Sequence, residues 1–227
     1  MVKEAEKVGL KVNTSKTKIL TVNGKNTNIT INQTLVEEVE KFTYLGSVVT
    51  PDGGAFKDVE TRITKANYTF RTLINIWRST TISTKTKLKI FNSNIKSVLL
   101  YGAETWLTNK QLIQKLQTFI NKCLRRILRI YWPQIISNQE LWEKIAQEPI
   151  EITVKRRTWR WIGHTLRKPD SDVTKQALEW NPVGTRKRGR PKDTWRRSLE
   201  GELKRMGKSW KEVKKEAKTR NRWRSIV

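Results

Sequence analysis

Apolar positions recur every second residue before Pro51 and every third or fourth residue after it, so the chain changes secondary-structure class there. Ile19-Leu20-Thr21-Val22, Asn28-Ile29-Thr30-Ile31 and Phe42 through Val49 predict strands of a small antiparallel sheet, with Asn23-Gly24 as a hairpin signal. Pro51-Asp52-Gly53-Gly54 reads as the turn between the two regimes. Val59, Ile63, Ala66, Phe70, Leu73 and Ile74 then predict a long helix over 56–78. A second apolar stripe, Leu88, Phe91, Ile95, Val98 and Leu99, predicts a helix from Thr84 to Tyr101, with Gly102 as its stop. In a third helix, from Leu112, one face carries Leu116, Ile120, Cys123, Leu124, Ile127 and Leu128, and the opposite face carries Lys122, Arg125, Arg126 and Arg129. The fold class expected is α+β. A small N-terminal antiparallel β-hairpin sheet over 1–54 precedes a mainly α-helical domain over 55–132 and a basic, Trp-rich helical tail over 133–227.

Charge changes the picture from a plain helical domain to a polyanion binder. The chain of 227 residues has 47 Lys and Arg against 21 Asp and Glu, a net charge of +26. Residues 155–227 hold 24 of those cations against 8 carboxylates, which makes the tail the main electrostatic arm. No apolar run is long enough to span a bilayer, and no signal-peptide or lipidation pattern is read at Met1-Val2 or Ser225-Val227, so nucleic acid is the partner expected and a membrane is not. One cysteine, Cys123, and one histidine, His164, cannot assemble a zinc finger or knuckle. With 36% hydrophobic residues the core is lean, and residues 165–195 are a candidate for ordering only on binding.

The densest candidate contact is Thr185-Arg186-Lys187-Arg188-Gly189-Arg190-Pro191-Lys192, followed by a basic helix carrying Trp195, Arg196 and Arg197. Glycine allows close backbone approach, proline holds the strand extended, and Arg188 and Arg190 can project along a narrow groove, as in an AT-hook. The preferred reading is a basic linker that touches phosphates or a nuclear import receptor, with minor-groove insertion as the alternative. The stripe Lys122, Arg125, Arg126 and Arg129 can track a phosphate backbone or be a solvated helix face. Arg156, Arg160 and His164 share a further face, while most tryptophans of the tail are expected to be core. A catalytic role for His164 has no acidic partner nearby, and Asp170-Ser171-Asp172 reads as a turn and helix cap rather than a metal site.

The same residues carry a family resemblance. Gly9-Leu10-Lys11-Val12-Asn13 with Ser15-Lys16-Thr17-Lys18 resembles the segment after the catalytic Asp-Asp strand of non-LTR retrotransposon reverse transcriptases, and Phe42-Thr43-Tyr44-Leu45-Gly46 resembles their primer-grip hairpin. Arg62-Ile63 with Ala66, Tyr101 through Trp106, Cys123 through Leu128, Arg157 through His164, Trp180-Asn181-Pro182 and Arg188 through Lys192 follow in the order seen after the palm of RTE-like endonuclease-reverse transcriptases. The resemblance implies a palm edge, a thumb-like helical domain and a basic tail. Lys16 or Lys18 would lie near the incoming nucleotide, and Phe42, Tyr44, Leu45 and Gly46 would form the primer grip. It also implies that the metal-binding aspartates, and the magnesium they hold, belong to a palm upstream of Met1, so that this chain has no cofactor of its own. The function expected is a reverse-transcriptase C-terminal fragment, nuclear with a cytoplasmic phase. It would bind retroelement RNA or target DNA without polymerising alone; the alternative is a co-opted AT-hook-like DNA-binding or chromatin protein.

Overall fold

A computed structural model describes residues 2–22, 28–51, 55–180 and 193–226 of the chain. The fold is α+β, with short antiparallel hairpins first and helices after them. Two compact units divide the chain, Met1–Thr61 and Arg62–Val227.

In the first unit, helix α1 (Val2–Lys7) is followed by a turn in which the Asn13 carboxamide accepts hydrogen bonds from the Ser15 hydroxyl and the Lys16 amide. Strands β1 (Thr30–Ile31) and β2 (Thr34–Leu35) form one hairpin, and β3 (Phe42–Tyr44) and β4 (Ser47–Val49) another. The segment predicted as one strand over 42–49 is therefore a hairpin in itself. Leu45 and Gly46, at φ 47° and 81°, make the two-residue turn with both central residues left-handed that matches strand twist. The hairpins are separate sheets rather than one, and Ile19 joins only as an isolated parallel bridge to Glu38. The Asn23-Gly24 signal lies outside the described residues. Buried Asp58 accepts the Val48 amide at 2.9 Å, tying β4 to the first turn of α2 (Phe56–Thr72).

The second unit is helical. The helix predicted over 56–78 ends at Thr72 and resumes as α3 (Ile74–Arg78), because the Trp77 ring folds back to stack on Phe70 at 5.0 Å and donates its indole N–H to the Phe70 carbonyl at 2.7 Å. Buried Lys87 of α4 (Thr84–Ile90) donates to the Trp77 and Ser79 carbonyls, satisfying acceptors that the end of α3 leaves open. The helix predicted from Thr84 to Tyr101 is continuous only by way of a π-helical stretch, Phe91–Lys96, before α5 (Ser97–Leu99). That stretch buries Phe91 and Ile95 fully, and Gly102 then reverses the chain at φ 76°.

Helix α6 (Lys110–Ile127) is capped by the Asn109 side chain, which accepts the Leu112 amide at 2.8 Å. It ends in a Schellman motif: the Ile130 amide reaches the Arg125 carbonyl and the Arg129 amide the Arg126 carbonyl, with Arg129 left-handed at φ 57°. Ser137 and Glu140 form a capping box for α7 (Asn138–Lys144), and Pro149 precedes α8 (Ile150–Leu166). A polar relay binds these three helices. The Ile150 amide donates to Gln117, Gln117 donates to buried Asn121, and Asn121 also accepts the Trp142 indole N–H.

Four helices close over α8 or beside it: α9 (Val173–Glu179), α10 (Trp195–Arg205), α11 (Trp210–Ala217) and α12 (Arg220–Ile226). Their core contains Trp159, Ile162, Leu166, Leu178, Leu199, Leu203, Val213, Ala217 and Trp223. Gly163 is the notch in this surface: a Cβ there would fall inside the Trp223 indole. Residues 165–180, expected to order only on binding, include α9, whose Leu178 is in the core. A capping carboxylate and one well-placed leucine order this charged stretch. Of the rest of the proposed run, 181–192 lie outside the described residues, and Trp195 opens α10.

Candidate nucleic-acid interface

On α6 the amphipathic split makes one face core and leaves Lys122 and Arg126, one turn apart, exposed. Neither has a carboxylate partner among the described residues. The other two members of the expected stripe are committed elsewhere. Arg125 is half-buried and donates to the Ile136 carbonyl at 3.2 Å and to the Asn138 carboxamide at 2.8 Å, so it anchors the loop before α7. Arg129 donates to the Arg78 carbonyl, which holds an arginine at a left-handed position that usually selects glycine. Of the expected α6 stripe, Lys122 and Arg126 are therefore the pair left on the helix surface, with the Arg129 and Arg78 side chains exposed beyond its C-terminus.

Helix α8 shows the same division of labour. Arg156 makes a two-pronged pair with Glu148, at 2.5 and 2.9 Å, which raises the arginine pKa and lowers the glutamate pKa. Arg160 and His164 are exposed on the same side of the helix. Arg157, quoted only within the resembling run, and Arg167, not singled out in the sequence, bond to the Leu100 and Ala217 carbonyls and fasten neighbouring segments to α8. The arginine positions alone gave no signal for this, since carbonyl acceptors carry no sequence mark.

In the tail, Arg196 donates to the carbonyls of Glu179 and Trp180 and lies 3.6 Å from the Glu200 carboxylate, and Arg197 follows it on the exposed side of α10. Arg186, Lys187, Arg188, Arg190 and Lys192 lie outside the described residues. In the N-terminal unit Phe42 is half-buried, Tyr44 and Leu45 are exposed at the hairpin, and Gly46 completes its turn. Lys16 is exposed, while Lys18 pairs with Glu37 at 2.5 Å.

Several residues of the resembling motifs work as joints. The Arg62 guanidinium lies 4.6 Å from the Tyr101 ring centroid. The Glu104 carbonyl accepts the Trp195 indole N–H at 3.1 Å, and Trp106 is buried. Trp159 donates its indole N–H to Glu202 at 2.8 Å, and Trp223 donates to the Trp159 carbonyl at 3.1 Å.

Reactive chemistry is sparse among the described residues. No three His, Cys, Asp or Glu side chains converge there in a way that could hold a metal ion. Burial pushes the Cys123 thiol up to about 12, so it stays protonated and is no nucleophile at neutral pH. Asp172 caps α9, and hydrogen bonds led by the Thr174 hydroxyl hold its carboxyl at about 2. No described helix is long and apolar enough to cross a membrane.

The loop anchored by Arg125 carries the feature that sequence reasoning missed. Tyr131, Trp132 and Ile135 are 60%, 86% and 87% exposed. The only sequence sign of it is an apolar run, Ile130-Tyr131-Trp132, continuing past the end of the α6 stripe into a proline.

Comparison with known proteins adds two matches. Residues 69–101, from the end of α2 to Tyr101, match a domain of unknown function, DUF6451. The chain is 27% identical over 214 residues to an uncharacterized transposon-derived protein of Caenorhabditis elegans, an alignment covering 89% of this chain and 76% of that one. No solved structure matches.

Proposed function

We propose that the chain is a transposon-derived fragment corresponding to the palm edge, thumb and basic tail of an RTE-like non-LTR retrotransposon reverse transcriptase, and that it holds retroelement RNA or target DNA without polymerising by itself. Similarity to a transposon-derived protein along 89% of the chain supports the origin. The observation that carries the binding role is the exposed pair Lys122 and Arg126, set on a capped helix whose other face is core, in a chain of net charge +26. Fixed cations of this kind displace condensed counterions from a phosphate backbone. On this reading Arg160, with exposed His164 one turn on, adds a second contact face, and the run from Arg186 to Lys192 acts as an arm that also serves import into the nucleus.

A salt titration of duplex and single-stranded affinity tests it. Engagement of about 6 phosphates gives a log-log slope near −5 on duplex DNA, and a flat response overturns the reading. Primer extension on an RNA template with magnesium or manganese is expected to yield no product. Loss of affinity confined to AT-rich duplex on Arg188→Ala with Arg190→Ala would instead favour an AT-hook-like DNA-binding protein.

A further inference from the structure

We infer that the loop Tyr131–Ile135 is a stacking platform for unpaired bases, so that the chain engages single-stranded nucleic acid through this loop and duplex through its cations alone. The inference rests on the nucleic-acid reading above and goes further, since it names the form of the ligand and the residues that tell it apart.

Apolar side chains left this exposed lose their burial energy unless something covers them. Trp132 and Ile135 are among the most exposed large apolar side chains described, and Tyr131 stands beside them. Their display is built. Arg125 holds the loop backbone through the Ile136 carbonyl and the Asn138 side chain, the Gln134 amide closes a turn on the Tyr131 carbonyl, and the Ser137–Glu140 capping box fixes the exit into α7. At the entry, the Schellman end of α6 fixes Arg129 and Ile130.

The surroundings identify the occupant. Arg126, Arg129 and Arg78 are exposed where α6 ends, and among the described residues none of them pairs with a carboxylate. Arg129 is close enough to Lys87 to add to the lowering that burial imposes on the Lys87 pKa, so positive charge is concentrated at this end of the helix. A protein partner covering the loop would have to bury or neutralise that charge. A nucleic-acid strand supplies both complements, phosphates for the arginines and bases for the rings, and any base can stack, which requires no sequence.

The test uses the full chain with a short fluorescein-labelled single strand of mixed sequence and the matching duplex, read by anisotropy at fixed salt. Trp132→Ala is expected to weaken single-strand binding about tenfold or more and to change duplex binding by less than about twofold. Trp132→Phe should restore most of the difference. Lys122→Gln with Arg126→Gln should weaken both ligands and reduce the salt slope by about 1 per cation. Circular dichroism should find Trp132→Ala folded, since its side chain contributes little burial. Unchanged single-strand affinity in Trp132→Ala overturns the platform while leaving the cationic reading intact. An equal loss on both ligands overturns it too, as does a wild-type dimer that Trp132→Ala converts to monomer without loss of affinity, which would make the loop a contact between copies. If the wild type binds neither ligand, the functional reading fails first.

Discussion

Trp223 and Trp132 are the same residue type in the same helical unit, and the fold treats them in opposite ways. Trp223 fills the notch at Gly163, gives its indole N–H to the Trp159 carbonyl and tilts against the Trp159 ring at 6.2 Å. Trp132 is held out from the surface by a loop with three separate backbone anchors. The difference lies in what the neighbours supply. A glycine opposite and an acceptor for the N–H turn tryptophan into core, whereas a turn braced from beneath by arginine turns it into display. Counting tryptophans among basic residues does not separate a stacking surface from a core; the partner of the indole N–H does.

Removing Trp223 should break the first half of that contrast with the largest effect. Trp223→Ala is expected to cost about 3–5 kcal/mol in denaturant unfolding, because it empties the notch and strips the cover from Trp159. Gly163→Ala attacks the same contact from the other side by overfilling it, at about 1–3 kcal/mol. Removing Trp223 and filling Gly163 in one chain should cost less than the two losses added together, since both act on one contact.

A smaller effect sharpens the comparison by asking whether α6, which supports the display, is as well closed as the tail core. The Cys123 thiol should resist a thiol reagent until the chain unfolds. Its folded-state pKa is raised from 9.0 to about 12 by burial, so the unfolded state sheds the proton first. The stabilisation tied to this group is therefore fully present below pH about 9 and is lost as pH rises toward 12. Unfolding midpoints of the wild type and Cys123→Ala across that window should converge as pH rises. The smallest effect is at Trp132: replacement by Ala should leave stability within about ±0.5 kcal/mol. A larger loss would mean that the loop is part of the core.

Much of the helical part was legible in the sequence because its period is strong. The α6 stripe ran into the structure within a few residues of its predicted course, since Asn109 provides a side-chain cap and the apolar positions never leave one face. The helix over 56–78 was broken by a tertiary event, the return of Trp77 onto Phe70, which no local propensity encodes. The π-helical turn at Phe91–Lys96 has no sequence mark for the same reason. In the N-terminal unit Leu45-Gly46 was absorbed into a strand because leucine rarely occupies a left-handed turn position, so the hairpin was recognisable only through the resemblance. Among the cations, the helical period correctly brought out Lys122 and Arg126 as a surface pair. It could not tell that Arg125 and Arg129 are used on backbone carbonyls, and it passed over Tyr131 and Trp132 because they follow the helix rather than belong to it.

The Trp159–Trp223 contact also sets an order of events during synthesis. The carbonyl and the indole N–H that meet there are 64 residues apart, so α8 leaves the ribosome long before α12 exists to cover it. Until then Trp159 and Ile162 are covered only as far as α9, α10 and α11 reach, and the uncovered part is the kind of apolar surface at which chaperone capture competes with folding. Docking of α12 thus completes the Trp159–Trp223 contact after the helices before it.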